Sequence, residues 1–332
     1  MPLNESFHLQ EGALWCDGVP LDAIADAVGT PAYVYSAARI RANVRRLQAA
    51  FAALNADIHY SLKANANLAI VRLLANLGLG MDAVSGGEIA RALRAGVPGE
   101  RIVFAGVGKT AHELGYALDQ GVGWFNVESR GELELLDRLA AEHGARPRVA
   151  LRVNPGIRAR THRHIATGHA AAKFGIAPDV VADILAHREQ IPHVAIAGLH
   201  VHIGSQLGSV EESVEAVREV QALARPYPDL RTLNIGGGFP VAYTADEQYP
   251  EPSEFAAALA PLLDSWQVKL EPGRSIVADA GVLLTSVLYI KRQGSARFVI
   301  VDASMTELLR PALYEAVHPI IPLHPAEPVH AA

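Results

Sequence analysis

The chain has 332 residues, 50% of them hydrophobic and 19% charged, with a net charge of −6. That length suits one large domain and a smaller one, and the negative balance argues against a nucleic-acid partner, which needs a basic face. The single cysteine, Cys16, excludes an intramolecular disulfide and a Cys-rich metal site.

Residues 1–15 carry Glu5 and Glu11 without an apolar core, so no signal peptide is expected there. The longest apolar stretch, Gly281 to Ile290, is broken by Thr285 and Ser286 and is too short to cross a bilayer. A cytoplasmic protein without a membrane anchor is expected.

From residue 57 short apolar runs alternate with longer amphipathic ones. Strands are predicted at Asp57–Ser61, Gly80–Val84, Arg101–Ala105, Trp124–Val127, Arg148–Asn154, Val194–Ile203, Thr232–Ile235 and Val268–Leu270. Helices are predicted at Leu68–Leu77, Gly86–Ala95, Ala111–Gln120, Arg130–His143, Asp179–His187, Val210–Ala224 and Ser253–Leu263. Parallel strands need a crossover element, so this alternation predicts a closed α/β barrel of the (β/α)8 type over residues 31–275. An open doubly wound sheet is the alternative, but no Gly-x-Gly-x-x-Gly follows the first strand. Residues 1–30 and 276–332 are expected to form a second, mostly β domain, since Val282–Ile290 and Phe298–Val301 read as strands with no helix between. The Pro-rich stretch 322–332 is expected to be disordered.

Strand ends of such a barrel converge on one mouth. Lys63, Asp82, Glu88, Arg152, His200, His202, Gly236, Gly237, Gly238, Glu271 and Arg274 all lie at or just after predicted strand ends. Lys63 is either a solvated loop lysine or an amine able to form an imine with an aldehyde cofactor. His200 and His202 alternate on one strand. They read as core histidines, as a metal pair of a barrel hydrolase, or as a ring stacked on a flat cofactor with Ser205 reaching a phosphate. Gly236–Gly238 is either a plain turn or an anion-binding loop of exposed backbone N–H groups. Glu271-Pro-Gly-Arg274 is either a surface turn or a carboxylate that keeps a pyridine nitrogen protonated, beside an arginine for phosphate or a substrate carboxylate.

Taken together with Gly80-Met-Asp-Ala-Val-Ser-Gly-Gly-Glu88, Leu151-Arg-Val-Asn-Pro-Gly156, Lys173-Phe-Gly-Ile176, Leu199-His-Val-His-Ile-Gly-Ser-Gln206 and Arg310-Pro-Ala-Leu-Tyr314, these residues resemble the fold-type III pyridoxal-phosphate-dependent decarboxylases. The similarity is to the diaminopimelate branch and runs from residue 10 to 323. It implies that Lys63 carries the cofactor and that His202 stacks on its ring. By the same resemblance Ser205, Gly236, Gly237, Gly238 and Arg274 bind its phosphate, and Glu271 faces its ring nitrogen. Asp82 and Arg152 shape the charge around that ring, and Arg274, Arg310 and Tyr314 grip the substrate. The implied reaction converts meso-2,6-diaminopimelate to L-lysine and CO2 in a homodimer with shared active sites, without nucleic acid or membrane.

Members of that family continue past the position of Ala332 with further strands, including a Cys-Glu-Ser-Gly-Asp motif that completes the partner subunit's site. Ser304 stands where they usually carry glycine. The resemblance therefore leaves an alternative open, a homologue that binds the cofactor with little or no decarboxylation. A decarboxylase of a related diamino acid or D-amino acid is a further possibility.

Overall fold

A computed structural model describes residues 3–157, 168, 172–244 and 246–325. The chain forms two compact units, one of Val44–Pro240 and Tyr249–Ser275, the other of Met1–Asn43, Val241–Gln248 and Ile276–Ala332. In chain order the elements before the barrel are β1 (Phe7–Gln10), β2 (Ala13–Cys16), β3 (Val19–Pro20), α1 (Leu21–Val28), β4 (Ala32–Tyr35) and α2 (Ala37–Ala50).

The barrel strands are β5 (Asp57–Ser61), β6 (Gly80–Ala83), β7 (Ile102–Phe104), β8 (Trp124–Val127), β9 (Arg148–Val153), β10 (Ala195–Val201), β11 (Thr232–Asn234) and β12 (Gln267–Leu270). All pair in parallel, each with the next, and β12 closes onto β5 through Lys269↔Asp57 and Leu270↔Ile58. Between them run α3 (Leu68–Asn76), α4 (Gly86–Arg94), α5 (Ala111–Asp119), α6 (Arg130–Glu142), α7 (Pro178–Ala186), α8 (Val210–Ala224) and α9 (Pro252–Leu263). The predicted boundaries hold to within two residues at each end.

The sequence makes this rhythm by simple means. The barrel strands are near-continuous apolar runs, as strands buried on both faces must be; Tyr60, Met81, Phe104, Phe125, Leu151 and Leu233 are all buried. At the mouth, three strand-to-helix turns carry the same stop-and-start signal. Ser85, Thr110 and Ser129 accept from the backbone N–H of Glu88, Glu113 and Glu132, which start α4, α5 and α6.

The other unit is mostly β. β1–β2–β3 form an antiparallel sheet. After α10 (Arg274–Val277), β13 (Gly281–Leu284) pairs with β4, and β14 (Val287–Gln293) forms a hairpin with β15 (Ala296–Val301), followed by α11 (Arg310–Tyr314). Phe7, Leu14, Cys16, Leu21 and Leu284 make its core, with Ile321 and Leu323 packed against them. The predicted run Val282–Ile290 is split in two. Asp302 accepts from Thr285 Oγ1 and from the Ser286 N–H, and these bonds hold the chain between β13 and β14 out of either ladder. In the Pro-rich stretch from residue 322, the Leu323 carbonyl accepts from the Leu14 N–H; residues 326–332 lie outside the described residues.

Candidate active site

Lys63 sits on a single 3₁₀ turn, Leu62–Ala64, just past β5. The buried Tyr60 holds that turn by donating its hydroxyl to the Asn65 carbonyl at 3.1 Å. The Lys63 side chain is 56% exposed and its Nζ lies 3.9 Å from Asp82 Oδ2 at the end of β6. Ser61 donates to the same Asp82 oxygen at 2.5 Å and lies 3.2 Å from the Glu271 carbonyl oxygen. The Glu271-Pro-Gly-Arg274 turn closes directly onto this corner. The Ser61 N–H donates to the Pro272 carbonyl at 3.0 Å. A Cβ on Gly273 would stand 3.0 Å from Ser61 Cβ and 3.1 Å from Ala64 Cβ, so glycine lets the two turns touch. The first and last barrel strands thus bring Lys63 and Glu271 to one mouth.

Glu271 is buried, and two asparagines hold one of its oxygens. Asn234 Nδ2 and Asn126 Nδ2 donate to Oε1 at 2.6 and 2.7 Å. Its Oε2 stands 3.4 Å from His200 Nε2. Burial raises the Glu271 pKa to about 7, with the charge of Asp82 adding to it and the asparagine bonds opposing it. Burial also pushes both histidines well below their usual range, so each is neutral at physiological pH; Arg152 and Lys63 reinforce this. The two rings serve different neighbours, because His202 Nδ1 accepts from the Gly237 N–H at 3.4 Å while His200 faces Glu271.

The glycine run packs against these same groups. Gly236 (φ +67°) and Gly238 (φ +93°) occupy backbone conformations that side chains disfavour. A Cβ on Gly237 would fall 2.3 Å from the Glu271 carbonyl oxygen, and one on Gly236 would fall 2.7 Å from His202 Nδ1. Bare backbone at this loop is therefore demanded by packing.

Arg152, expected to shape charge at the ring, is engaged with protein groups. It donates to Glu128 Oε1 at 2.6 Å and to the His202 carbonyl at 3.5 Å, and it lies 4.9 Å from the centre of the Phe174 ring. Glu88 serves its own turn, accepting from the Val84 N–H at 2.8 Å, and burial raises its pKa. Ser205 lies in the loop after β10 and Arg274 opens α10, both partly buried. Arg310 and Tyr314 belong to the other unit, at the first and last positions of α11. There the Arg310 guanidinium stacks 4.2 Å from the Tyr243 ring centre, and Arg310 Nη1 lies 3.3 Å from His318 Nε2.

Sequence reasoning missed Ser61, Asn126 and Glu128. Each had a signal: a polar residue at or next to the end of an otherwise apolar strand, where unpaired burial is costly and a partner is implied.

These residues fit pyridoxal phosphate. A lysine and a buried carboxylate share one mouth, beside a glycine loop with backbone free of side chains. Asp82 Oδ1 and both ring nitrogens of His200 are buried without hydrogen-bond partners among the described residues, as expected where a polar ligand completes a site.

Comparison with known proteins agrees. Residues 37–278 match the family described as "Pyridoxal-dependent decarboxylase, pyridoxal binding domain". The diaminopimelate decarboxylase of Aquifex aeolicus is 42% identical over 330 residues, covering 98% of this chain and 78% of that protein. The chain belongs to the pyridoxal-dependent decarboxylases, on their diaminopimelate decarboxylase branch. Pyridoxal phosphate is the cofactor of that family. Among solved structures, diaminopimelate decarboxylase from Helicobacter pylori complexed with L-lysine aligns with TM-score 0.86 at 39% identity, covering 90% of this chain and 77% of that one. The M. jannaschii enzyme in co-complex with L-lysine aligns with TM-score 0.89 at 36% identity, covering 96% and 78%. Among the described residues, no helix is long and apolar enough to cross a membrane.

Proposed function

We propose that the chain decarboxylates meso-2,6-diaminopimelate to L-lysine and CO2, with pyridoxal phosphate held through Lys63. The observation that carries this reading is the meeting of Lys63 and Glu271 at one barrel mouth, through Ser61, Asp82 and the Pro272 carbonyl. Bound pyridoxal phosphate supplies the sink for the electron pair left when the Cα–carboxylate bond breaks.

The chain's own residues take the following parts. Lys63 Nζ, exposed at the mouth and near Asp82, is the amine that would hold the cofactor. Glu271, whose Oε1 takes both asparagine bonds, would face the ring nitrogen and favour a proton there. His202, neutral, presents an uncharged ring to stack on. Ser205, the N–H groups of Gly236–Gly238 and Arg274 hold the phosphate. Arg152 acts through Glu128 and the Gly175 backbone, setting the wall beside His202. Arg274 and Arg310 suit the two carboxylates of the substrate, with Tyr314 on the same short helix as Arg310; a tail that ends in an ammonium alone would find no counter-charge in them. A cytoplasmic homodimer is proposed with this activity.

The test is turnover by purified protein reconstituted with pyridoxal phosphate. Equimolar CO2 and L-lysine from the meso isomer, absent in Lys63→Ala, is the expected result. Release of CO2 from ornithine or L-lysine in preference to meso-diaminopimelate would overturn the substrate assignment.

A further inference from the structure

Glu271 is not held symmetrically. Both amide donors fall on Oε1, Asn234 at 2.6 Å and Asn126 at 2.7 Å, and both asparagines are 1% exposed. The orientation of the Asn234 amide is itself fixed, because its Oδ1 accepts from the Gly236 N–H at 2.9 Å, which leaves Nδ2 for the carboxylate. The Asn126 main-chain carbonyl is in turn anchored by Lys109 Nζ at 2.7 Å. The Asn234 side chain cannot swing away without breaking its bond from the Gly236 N–H, and the Lys109 bond fixes the backbone from which the Asn126 side chain reaches Glu271.

Resting on the reading that Glu271 pairs with the cofactor's ring nitrogen, we propose that Asn126 and Asn234 are positioning residues for that pairing. By saturating Oε1 they present Oε2 as the free oxygen and hold the side chain as an anion. The physical reason is that a carboxylate oxygen accepting two N–H bonds in a buried site is a weaker base than one accepting none. When Glu271 and a ring nitrogen share a proton, donors on Oε1 bias it toward the nitrogen, the form in which the ring draws electrons most strongly. Other groups facing Glu271 act in known directions. Asp82 pushes its proton affinity up and Lys63 pulls it down, while His200 is neutral and does not compete as a cation for Oε2. Without the two amides, burial and Asp82 act with less opposition and the carboxyl keeps the proton. The bond from Gly236 to Asn234 adds a consequence: the loop proposed to hold the phosphate is tied through one side chain to the carboxylate proposed to hold the ring.

The test uses the full chain reconstituted with ring-15N pyridoxal phosphate, with the 15N chemical shift reporting ring protonation and equilibrium dialysis giving the cofactor Kd. The parent should show a protonated ring nitrogen and Glu271→Gln an unprotonated one. Asn126→Leu and Asn234→Leu should each move the shift toward the unprotonated value and raise the Kd about tenfold, the scale of one hydrogen bond to a charged group. If the leucine variants do not fold, Asn126→Ala and Asn234→Ala remove the donor without adding apolar bulk, with the same expectation. Parental shift and Kd in the asparagine variants, with Glu271→Gln deprotonated, would overturn the proposal alone. An unprotonated ring in the parent, unchanged by Glu271→Gln, would instead overturn the underlying reading of Glu271.

Discussion

Arg152 and Glu128 offer a quantitative test of how the mouth is built. Their side chains are 8% and 2% exposed and meet at 2.6 Å. An exposed ion pair is worth at most about 1 kcal/mol, whereas removing one partner of a buried pair costs roughly 3–5 kcal/mol because the other charge is stranded. The two removals should not be equal. In Arg152→Met, Glu128 keeps one donor, the Gly175 N–H at 2.9 Å, so the cost falls near the low end, about 3 kcal/mol. In Glu128→Leu, the arginine keeps a long bond to the His202 carbonyl and the face of Phe174, and the cost falls near the high end, about 5 kcal/mol. The double variant strands neither charge and should lie within about 1.5 kcal/mol of the parent. Urea unfolding of the four proteins without cofactor measures the cycle. If Arg152→Met unfolds with the parent's midpoint, the pair does not stabilise the barrel, and the reasoning that gives Arg152 a supporting rather than a cofactor-binding part fails.

Gly237→Ala places a Cβ 2.3 Å from the Glu271 carbonyl oxygen, against the backbone of Glu271 and Pro272, so it should destabilise the barrel by about 1–3 kcal/mol and weaken cofactor binding, read by thermal melting and dialysis. Arg310→Met should raise KM for meso-diaminopimelate at least tenfold and leave the cofactor's absorbance unchanged; an unchanged KM would remove Arg310 from substrate binding. At the opposite end of the barrel, burial holds His59 neutral with its pKa lowered to about 3. For Asp57, burial alone would raise the pKa, but His59 once it gains its proton near pH 3, the charge and hydrogen bond of Lys269, and the charge of Arg101 outweigh it and bring it down to about 2. The unfolded chain takes up the histidine proton below about pH 6.5, so stability falls as pH drops from there toward 3, before most carboxylates titrate; the Asp57 contribution is present above about pH 3.9 and is lost toward pH 2. His59→Gln should lessen the slope of the stability profile between about pH 4.5 and 6.5, leaving the part due to the buried His200 and His202, and an unchanged slope there would refute the assignment to His59.

The barrel was legible because each of its signals is local. Apolar runs alternate with amphipathic ones, and Ser85, Thr110 and Ser129 mark helix starts with a glutamate three residues on. Lys63 and Glu271 were legible as strand-end residues, and their meeting followed once the strands were counted. What sequence could not supply was partnership. Nothing local distinguishes an Arg152 aimed at a cofactor from one engaged by Glu128, since the two residues are on different elements and meet only when β8 and β9 pair. Asn126 looked like one polar residue in an apolar strand, and its bond to Glu271 spans 145 positions. The break at Thr285 and Ser286 depends on Asp302, a partner beyond the window in which strand periodicity is read.

On the proposed reading, this barrel mouth holds pyridoxal phosphate through Lys63. Borohydride reduction of the reconstituted protein fixes the cofactor covalently on whichever lysine carries it, and peptide mass spectrometry locates the mark. A single modified peptide containing Lys63 is the predicted result. A mark on Lys109, Lys173, Lys269 or Lys291 instead, or none at saturating cofactor, would contradict it.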